Sequence, residues 1–366
     1  MDESAAGKAY SMEVEFERQV TGARAGATRF PRYDHAVRGI ANYWYPVMKS
    51  RDLRERRPKA LKLFGQPIMF FRENGTVYAI GDRCPHRGVP ISLGRQEFCG
   101  TFSCRYHGWT FDLKTGALVA ALTDGPDSAI VGKARVPTYP VAERAGIIWL
   151  FYGEGTPPPV ETHIPPEMLA PDAVIEARIT TRPGDWRYAA ENGFDESHGK
   201  YLHRDSLMMF FSHPPGYVRT EIGPDDWNWI TRKTTQAVPF AEYPALGSWP
   251  KRRFWKIARS IVRVSIALPG VLRVHYGSWI HFEWYLPTED GHHRYVQFVV
   301  KHTSGIGALL FRLRYWLLLR WVFHVQFNDQ DASMVELMQT PPEQLFGPDH
   351  SLIAWRALCE DALQET

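Results

Sequence analysis

Cys84-Pro85-His86 and Cys104-Arg105-Tyr106-His107 each set one thiol and one imidazole within a few residues of each other. A structural zinc site of two cysteines and two histidines usually pairs like with like, as Cys-x₂₋₄-Cys and His-x₃₋₅-His. One of each in both halves suits a pair of irons instead, thiolates on one iron and imidazoles on the other. A second group lies downstream in ENGFDESHGKYLH, which supplies Asp195, His198 and His203. Two imidazoles and one carboxylate on one side of Fe(II) leave its remaining positions open to O2 and water.

The first pattern has the spacing of a Rieske [2Fe–2S] centre, in which the imidazole pair raises the reduction potential above that of an all-thiolate cluster. Each motif is expected at the tip of a hairpin loop, the two tips facing each other. Gly88 and Gly108, just behind the histidines, permit a sharp turn and are expected to offer N–H groups to sulfur. Such a cluster passes single electrons, so chemistry on an organic substrate needs the second metal. On one helix Asp195 and His198 share a face. His198 and His203 lie about 500° apart on an ideal helix and diverge unless it is distorted, which Gly199 permits. Asp195 can supply the carboxylate, and so can Asp329 or Asp331 in FNDQDASMVELMQ.

These residues need elements to hold them. A chain of 366 residues exceeds one compact core, so two domains are expected. From about Ala60 to Pro140 the pattern is short strands and turns, with hairpins closing at Asn74-Gly75 and Thr115-Gly116. The proline- and glycine-dense stretch at 153–172 interrupts regular structure and marks the domain boundary. Further strands and a long helix from Gly305 to about Met338 follow. In that helix Ile306, Leu309, Leu310, Leu313, Leu317 and Trp321 share one face, which is expected to pack on a core. Arg312, Arg314 and Arg320 break the run, which is too charged to span a bilayer. Together with the basic, apolar stretch at 251–270, it makes a membrane-surface role the alternative.

The formal net charge of +3 gives no case for nucleic acid. The polar start MDESAAGKAY has no signal-peptide core, and Cys99 and Cys359 form no disulfide framework, so a cytoplasmic setting is expected. For a substrate, Phe194 adjoins Asp195, and Leu207 and Met208 follow His203 closely. Phe282 and Trp284 alternate with Ile280 on one strand face and are expected to line an apolar pocket, Trp279 pointing away. No arginine is clearly positioned for a carboxylated substrate, with Arg182, Arg187 and Arg204 left as the open candidates.

From Trp44 onward the chain resembles the large (alpha) subunit of the Rieske non-haem iron ring-hydroxylating oxygenases, in particular the carbazole dioxygenase and 2-oxoquinoline monooxygenase branch. The resemblance is carried by ALKLFG, DRCPHRGVPIS, ENGFDESH followed by HRDS, LPGVLRV, HFEWYLP and FNDQDASMVE. It implies an α+β fold: a lead-in at 1–37, an all-β Rieske domain at 38–155, and a helix-grip catalytic domain at 156–366, an antiparallel sheet with a long helix. Cys84, His86, Cys104 and His107 would bind the cluster, and His198, His203 and Asp331 a mononuclear Fe(II). Asp331 is preferred to Asp329 because the family's carboxylate falls five residues before a glutamate, here Glu336. Asp195 would then hydrogen-bond His198 and the partner subunit's His107. Asn192 would also face the metal, or be an ordinary helix-start amide.

The resemblance further implies a head-to-tail homotrimer, one subunit's cluster beside the next subunit's iron. Electrons would come from NAD(P)H through a ferredoxin, a reductase or both, since no GxGxxG follows a strand here. O2 would then hydroxylate an apolar aromatic or polycyclic substrate, by mono- or dioxygenation. The alternatives are a membrane-associated monooxygenase or demethylase of a sterol- or terpenoid-like lipid and, outside this class, a metal-stabilised hydrophobic-ligand-binding or electron-transfer protein. In carbazole-type members the iron histidines stand one residue closer than His198 and His203 do.

Overall fold

The computed structural model describes residues 29–195, 197–207, 216–239, 263–338 and 343–364. Met208, the side chain of Arg204 and most of the 251–270 stretch lie outside the described residues.

The N-terminal half is built from three small antiparallel sheets. Strands β1 (Tyr43–Lys49), β8 (Val141–Arg144) and β9 (Ile147–Tyr152) form one, in the order β1-β9-β8. A second holds β2 (Lys59–Leu63), β3 (Gln66–Glu73) and β4 (Thr76–Gly81), and a third β5 (Thr101–Ser103), β6 (Trp109–Asp112) and β7 (Leu118–Ala121). The β3–β4 hairpin turns at Asn74 and Gly75, both at positive φ as that tight turn requires.

The C-terminal half is one seven-stranded antiparallel sheet, in the order β10-β16-β15-β14-β13-β12-β11. Its strands are β10 (Ala173–Pro183), β11 (Gly216–Pro224), β12 (Ile230–Pro239), β13 (Arg263–Ala267), β14 (Val271–Tyr276), β15 (Trp279–Glu289) and β16 (His292–His302). Against one face lie helices α1 (Trp186–Phe194) and α2 (Ser197–Tyr201), a long helix α3, and α4 (His350–Ala362). Helix α3 runs as an α-helix over Gly305–Arg314, widens to π-helical winding over Tyr315–Asn328, and narrows again over Asp329–Leu337. Its inward residues Phe311, Tyr315, Leu319, Phe323 and Phe327 recur every fourth position. At 3.6 residues per turn such a stripe drifts around the helix; the wider turns hold it on the sheet.

The opposite sheet face carries Phe282, Trp284, Val296, Phe298 and Val300 into a core shared with β1 and β9. The Trp149 and Trp284 rings meet edge-on there, 5.8 Å apart. Burial of large side chains on both sides of this seam, worth about 1.5–3 kcal/mol for each aliphatic or phenyl group, joins the two halves into one body. The proline-rich stretch takes part, with Val160, Ile164 and Met168 buried in the same core. The lead-in docks as well. Tyr33 is buried, and its hydroxyl donates to Glu191 of α1 at 2.8 Å and accepts from Trp355 of α4 at 3.2 Å.

Candidate metal centres

Cys104 and His107 sit on the β5–β6 hairpin turn. Cys84 and His86 lie on the connection from β4 to β5, which joins two different sheets rather than closing a hairpin. The two loops nevertheless fold alike. The Cys84 N–H donates to the Val89 carbonyl and the Cys104 N–H to that of Trp109, at 2.9 and 2.8 Å. Gly88 and Gly108 take positive φ and donate their N–H groups to the carbonyls of Cys84 and Cys104, at 2.8 and 3.0 Å. These glycines thus tie the loops to their own backbone and do not point at sulfur as expected.

Asp82 fixes the first loop by accepting from the Ser92 N–H and hydroxyl, both at 2.6 Å. Both cysteines are buried, His107 is half-buried and His86 is exposed. The imidazoles lie 4.6 Å apart, and His86 stacks on Trp109. The four residues line one small pocket together with Arg87, Val89, Tyr106 and Trp109. Burial pushes the Cys84 thiol up to about 11, and neighbouring Cys104 adds to this. Two buried thiols packed together suit a metal cluster, which binds thiolates and supplies the compensating charge.

The second site forms where α1 ends. Asp185 caps the start of α1 by accepting from the Arg187 N–H at 2.9 Å. The helix stops at Asp195, whose extended backbone breaks the single helix expected through His198. The Asp195 carboxylate then caps α2, accepting from Ser197 N–H at 2.8 Å and His198 N–H at 3.2 Å, and meets His198 Nδ1 at 3.1 Å. His203 follows on a tighter 3₁₀ turn, Leu202–Asp205. That change of winding, rather than a distortion at Gly199, brings the two rings together, their centroids 5.4 Å apart.

Asp331 arrives from α3. One of its carboxylate oxygens lies 3.0 Å from His203 Nε2 and 3.3 Å from His198 Nε2. One ligand atom from each of the three side chains lies within 4.8 Å of the others. Asp329, the other candidate, is occupied elsewhere: Arg178 grips it with two hydrogen bonds at 2.9 and 3.1 Å, and Arg182 adds a third. Arg187 is likewise held by Asp185. Neither Arg182 nor Arg187 is therefore set aside for a substrate carboxylate.

Electrostatics agree with a cation here. Burial opposes charge on His198, but Asp195 and Asp331 outweigh it and push its imidazolium up to about 10. Burial also opposes ionisation of Asp195, yet bonds from His198 and Ser197 hold it down to about 2; Asp331 is held lower still by both histidines. His203 Nε2 and Asp331 Oδ1, 3.0 Å apart, are both buried and lack a satisfying hydrogen bond among the described residues, a costly arrangement unless a ligand binds to both. The donor set of two imidazoles and one carboxylate fits Fe(II), which would take the place of the proton on His198.

Around the site, His203 Nδ1 meets Gln330 Oε1 at 2.9 Å and its ring stacks on Phe327 at 3.8 Å. Neither residue was singled out from the sequence, although Gln330 stands next to Asp331. Asn192 is buried in the last turn of α1, so it is not a helix-start amide; its carbonyl accepts from the Asp195 N–H. Phe194 is fully buried under the Arg232 guanidinium, and Leu207 is exposed.

Phe282 and Trp284 belong to the inter-domain core, on the sheet face away from α3, so the pocket expected from that parity is corrected. The other parity faces the helix. Glu283 accepts from His281 at 2.6 Å, from Asn328 at 2.9 Å and from the hydroxyls of Tyr285 and Tyr295. Trp279, of the other parity, points away from the Phe282 and Trp284 face as expected and packs on Phe323 of α3. Polar residues at alternate positions of an otherwise apolar strand were the available signal.

Fold and site together define a two-centre iron oxygenase, with an electron relay in one half and a mononuclear site in the other. Residues 43–140 match the Rieske [2Fe-2S] domain, and residues 151–221 and 228–364 match the homotrimeric ring hydroxylase family. The chain belongs to the Rieske ring-hydroxylating oxygenases. It is 34% identical over 360 residues to the terminal oxygenase component of carbazole 1,9a-dioxygenase from a Sphingomonas species, covering 89% of this chain and 92% of that one. The solved terminal oxygenase of carbazole 1,9a-dioxygenase from Nocardioides aromaticivorans IC177 is 30% identical, with a TM-score of 0.81 over 91% of this chain and 97% of that one. A reduced complex of oxygenase and ferredoxin in carbazole 1,9a-dioxygenase gives 31% and 0.82, over 91% and 92%.

Proposed function

We propose that this chain is the terminal oxygenase of a multicomponent system that hydroxylates an apolar aromatic or polycyclic substrate, drawing electrons from NAD(P)H through a ferredoxin or reductase. The convergence of His198, His203 and Asp331 at the end of α1, in a chain that also cages four cluster ligands, carries this reading. When bound, Fe(II) supplies activation of O2 and the [2Fe–2S] cluster supplies electrons one at a time.

The protein's own groups do the rest. Cys84, His86, Cys104 and His107 hold the cluster, with exposed His86 and Tyr106 presenting its imidazole edge to a donor. Asp195 orients His198 by accepting its Nδ1–H, which leaves Nε2 free for the metal. Gln330 does the same for His203. In a head-to-tail trimer Asp195 also meets the partner subunit's His107, so the relay completes only between copies. Phe327 stacked on His203, with Phe194 buried beside Asp195, supports an apolar substrate. The buried polar group around Glu283 gives the sheet side one hydrogen-bonding patch. We also place the enzyme in the cytoplasm, peripheral to the inner face of a membrane; the exposed apolar residues between 306 and 325 support this.

The test is a single turnover of the pre-reduced trimer with O2 and a panel of polycyclic aromatics and terpenoids, identifying products. A hydroxylated product whose added oxygen comes from O2 is expected. Absence of any product from protein with full iron content would overturn the reading.

A further inference from the structure

Helix α3 presents its most apolar surface outward. Ile306, Leu309, Leu313 and Leu317 are 78%, 68%, 53% and 75% exposed, and Trp316 and Trp321 about half. Among the described residues nothing covers the face expected to pack on a core, because the aromatic stripe from Phe311 to Phe327 occupies the sheet instead. A contiguous exposed apolar face of this kind is uncommon on a monomer and signals a partner.

Charge identifies the partner. From Gly305 to Asn328 the helix contains Arg312, Arg314 and Arg320 and no acidic residue. Beside it opens a groove lined by Lys49, Arg51, Arg144, Arg312 and Trp316 and by one carboxylate, Glu176, with Ile147, Met168 and Leu169 as apolar walls. Among the described residues no carboxylate lies within ion-pair distance of Lys49 or Arg51. Arg144 and Arg312 each have one, Glu161 at 2.9 Å and Glu176 at 3.6 Å. The whole patch is thus apolar at its centre and cationic around it.

A second copy laid on this patch face to face would set arginine against arginine. A bilayer bearing anionic headgroups satisfies both parts at once. Leucine and isoleucine enter the acyl boundary, tryptophan sits at the interface, and the arginine stems reach back to phosphate.

We propose that the outer face of α3, from Ile306 to Trp321, with the basic groove beside it, docks the enzyme on an anionic phospholipid surface. This specifies the peripheral location proposed above and does not depend on the oxygenase reading. A cyclic trimer sets its three copies of the patch at one height along its axis, so each contact raises the effective concentration of the next.

The experiment is flotation of the iron-loaded trimer with vesicles of phosphatidylcholine alone or with a third phosphatidylglycerol, at low and at high salt, alongside light scattering for oligomer mass. Binding to the phosphatidylglycerol vesicles that weakens in high salt is expected. Arg312→Gln, Arg314→Gln and Arg320→Gln together should weaken it on the order of a hundredfold. Leu313→Ser with Leu317→Ser should abolish it with the mass unchanged.

No binding to phosphatidylglycerol vesicles overturns the proposal. So does a fall in oligomer mass on Leu313→Ser with Leu317→Ser, which would make the face a subunit interface. Single turnover of a water-dispersed substrate remains in either case, so docking and oxygenation fail separately.

Discussion

His198 Nδ1 lies 3.1 Å from Asp195 Oδ2, on the opposite side of the ring from Asp331. The imidazole is clamped between two carboxylates, one fixing its tautomer and the other sharing its metal. Asp195→Asn keeps the shape but removes the charge and lets an amide N–H face Nδ1. Turnover is expected to fall about 10–100-fold, with the visible spectrum of the cluster unchanged. Oxygen uptake at matched iron content measures it, and wild-type turnover would remove Asp195 from the relay.

Asp329 and Asp331 are two residues apart and do opposite work. Asp331→Ala should lose the mononuclear iron, giving two irons per chain in place of three, while leaving the fold intact. Asp329→Ala leaves Arg178 and Arg182 without their shared carboxylate, and should cost about 1–3 kcal/mol of stability with all three irons retained. Metal analysis and thermal denaturation of the two variants separate these outcomes.

The cluster ligands were legible because they lie within one local span whose spacing reflects the chemistry directly. The iron histidines were legible as residues but not as geometry. A helix was expected to carry Asp195 and His198 together, whereas the chain breaks there so that Asp195 can cap the next turn. Strand β15 misled for a different reason. Both of its faces are buried, Phe282 and Trp284 against the Rieske half and His281, Glu283 and Tyr285 under the helices, so apolar alternation could not say which side faces iron. Helix α3 shows the same limit. Periodicity found the apolar face at Ile306, Leu309 and Leu313, but the side that meets the sheet is the aromatic series four residues apart.

The two loop glycines separate backbone strain from crowding. A Cβ at Gly88 would meet nothing within 4 Å, whereas one at Gly108 would lie 2.8 Å from Leu122 Cβ; both positions have positive φ. Gly88→Ala carries the cost of an unfavourable backbone alone, about 1–2 kcal/mol. Gly108→Ala adds a collision that shifts the Cys104–His107 loop. Cluster occupancy, read from visible absorption per chain, should fall modestly in the first variant and severely in the second. Equal losses would show that crowding against Leu122 is irrelevant.

His293 predicts how the fold responds to acid. It is buried on β16 and its Nδ1–H donates to the Gly184 carbonyl at 2.9 Å. Burial lowers its pKa to about 4, while in the unfolded chain it titrates near 6.5. Between these values the unfolded chain binds a proton that the folded chain refuses. The contribution is therefore complete above about pH 6.5 and is lost as pH falls towards 4. From pH 7.5 to 5.0 this one group removes about 2 kcal/mol. His293→Asn keeps an N–H donor without the titration, so urea unfolding of the variant should show a pH dependence smaller by that amount. An identical dependence in both proteins would mean that His293 is protonated in the folded state, bonded differently from the contact with Gly184.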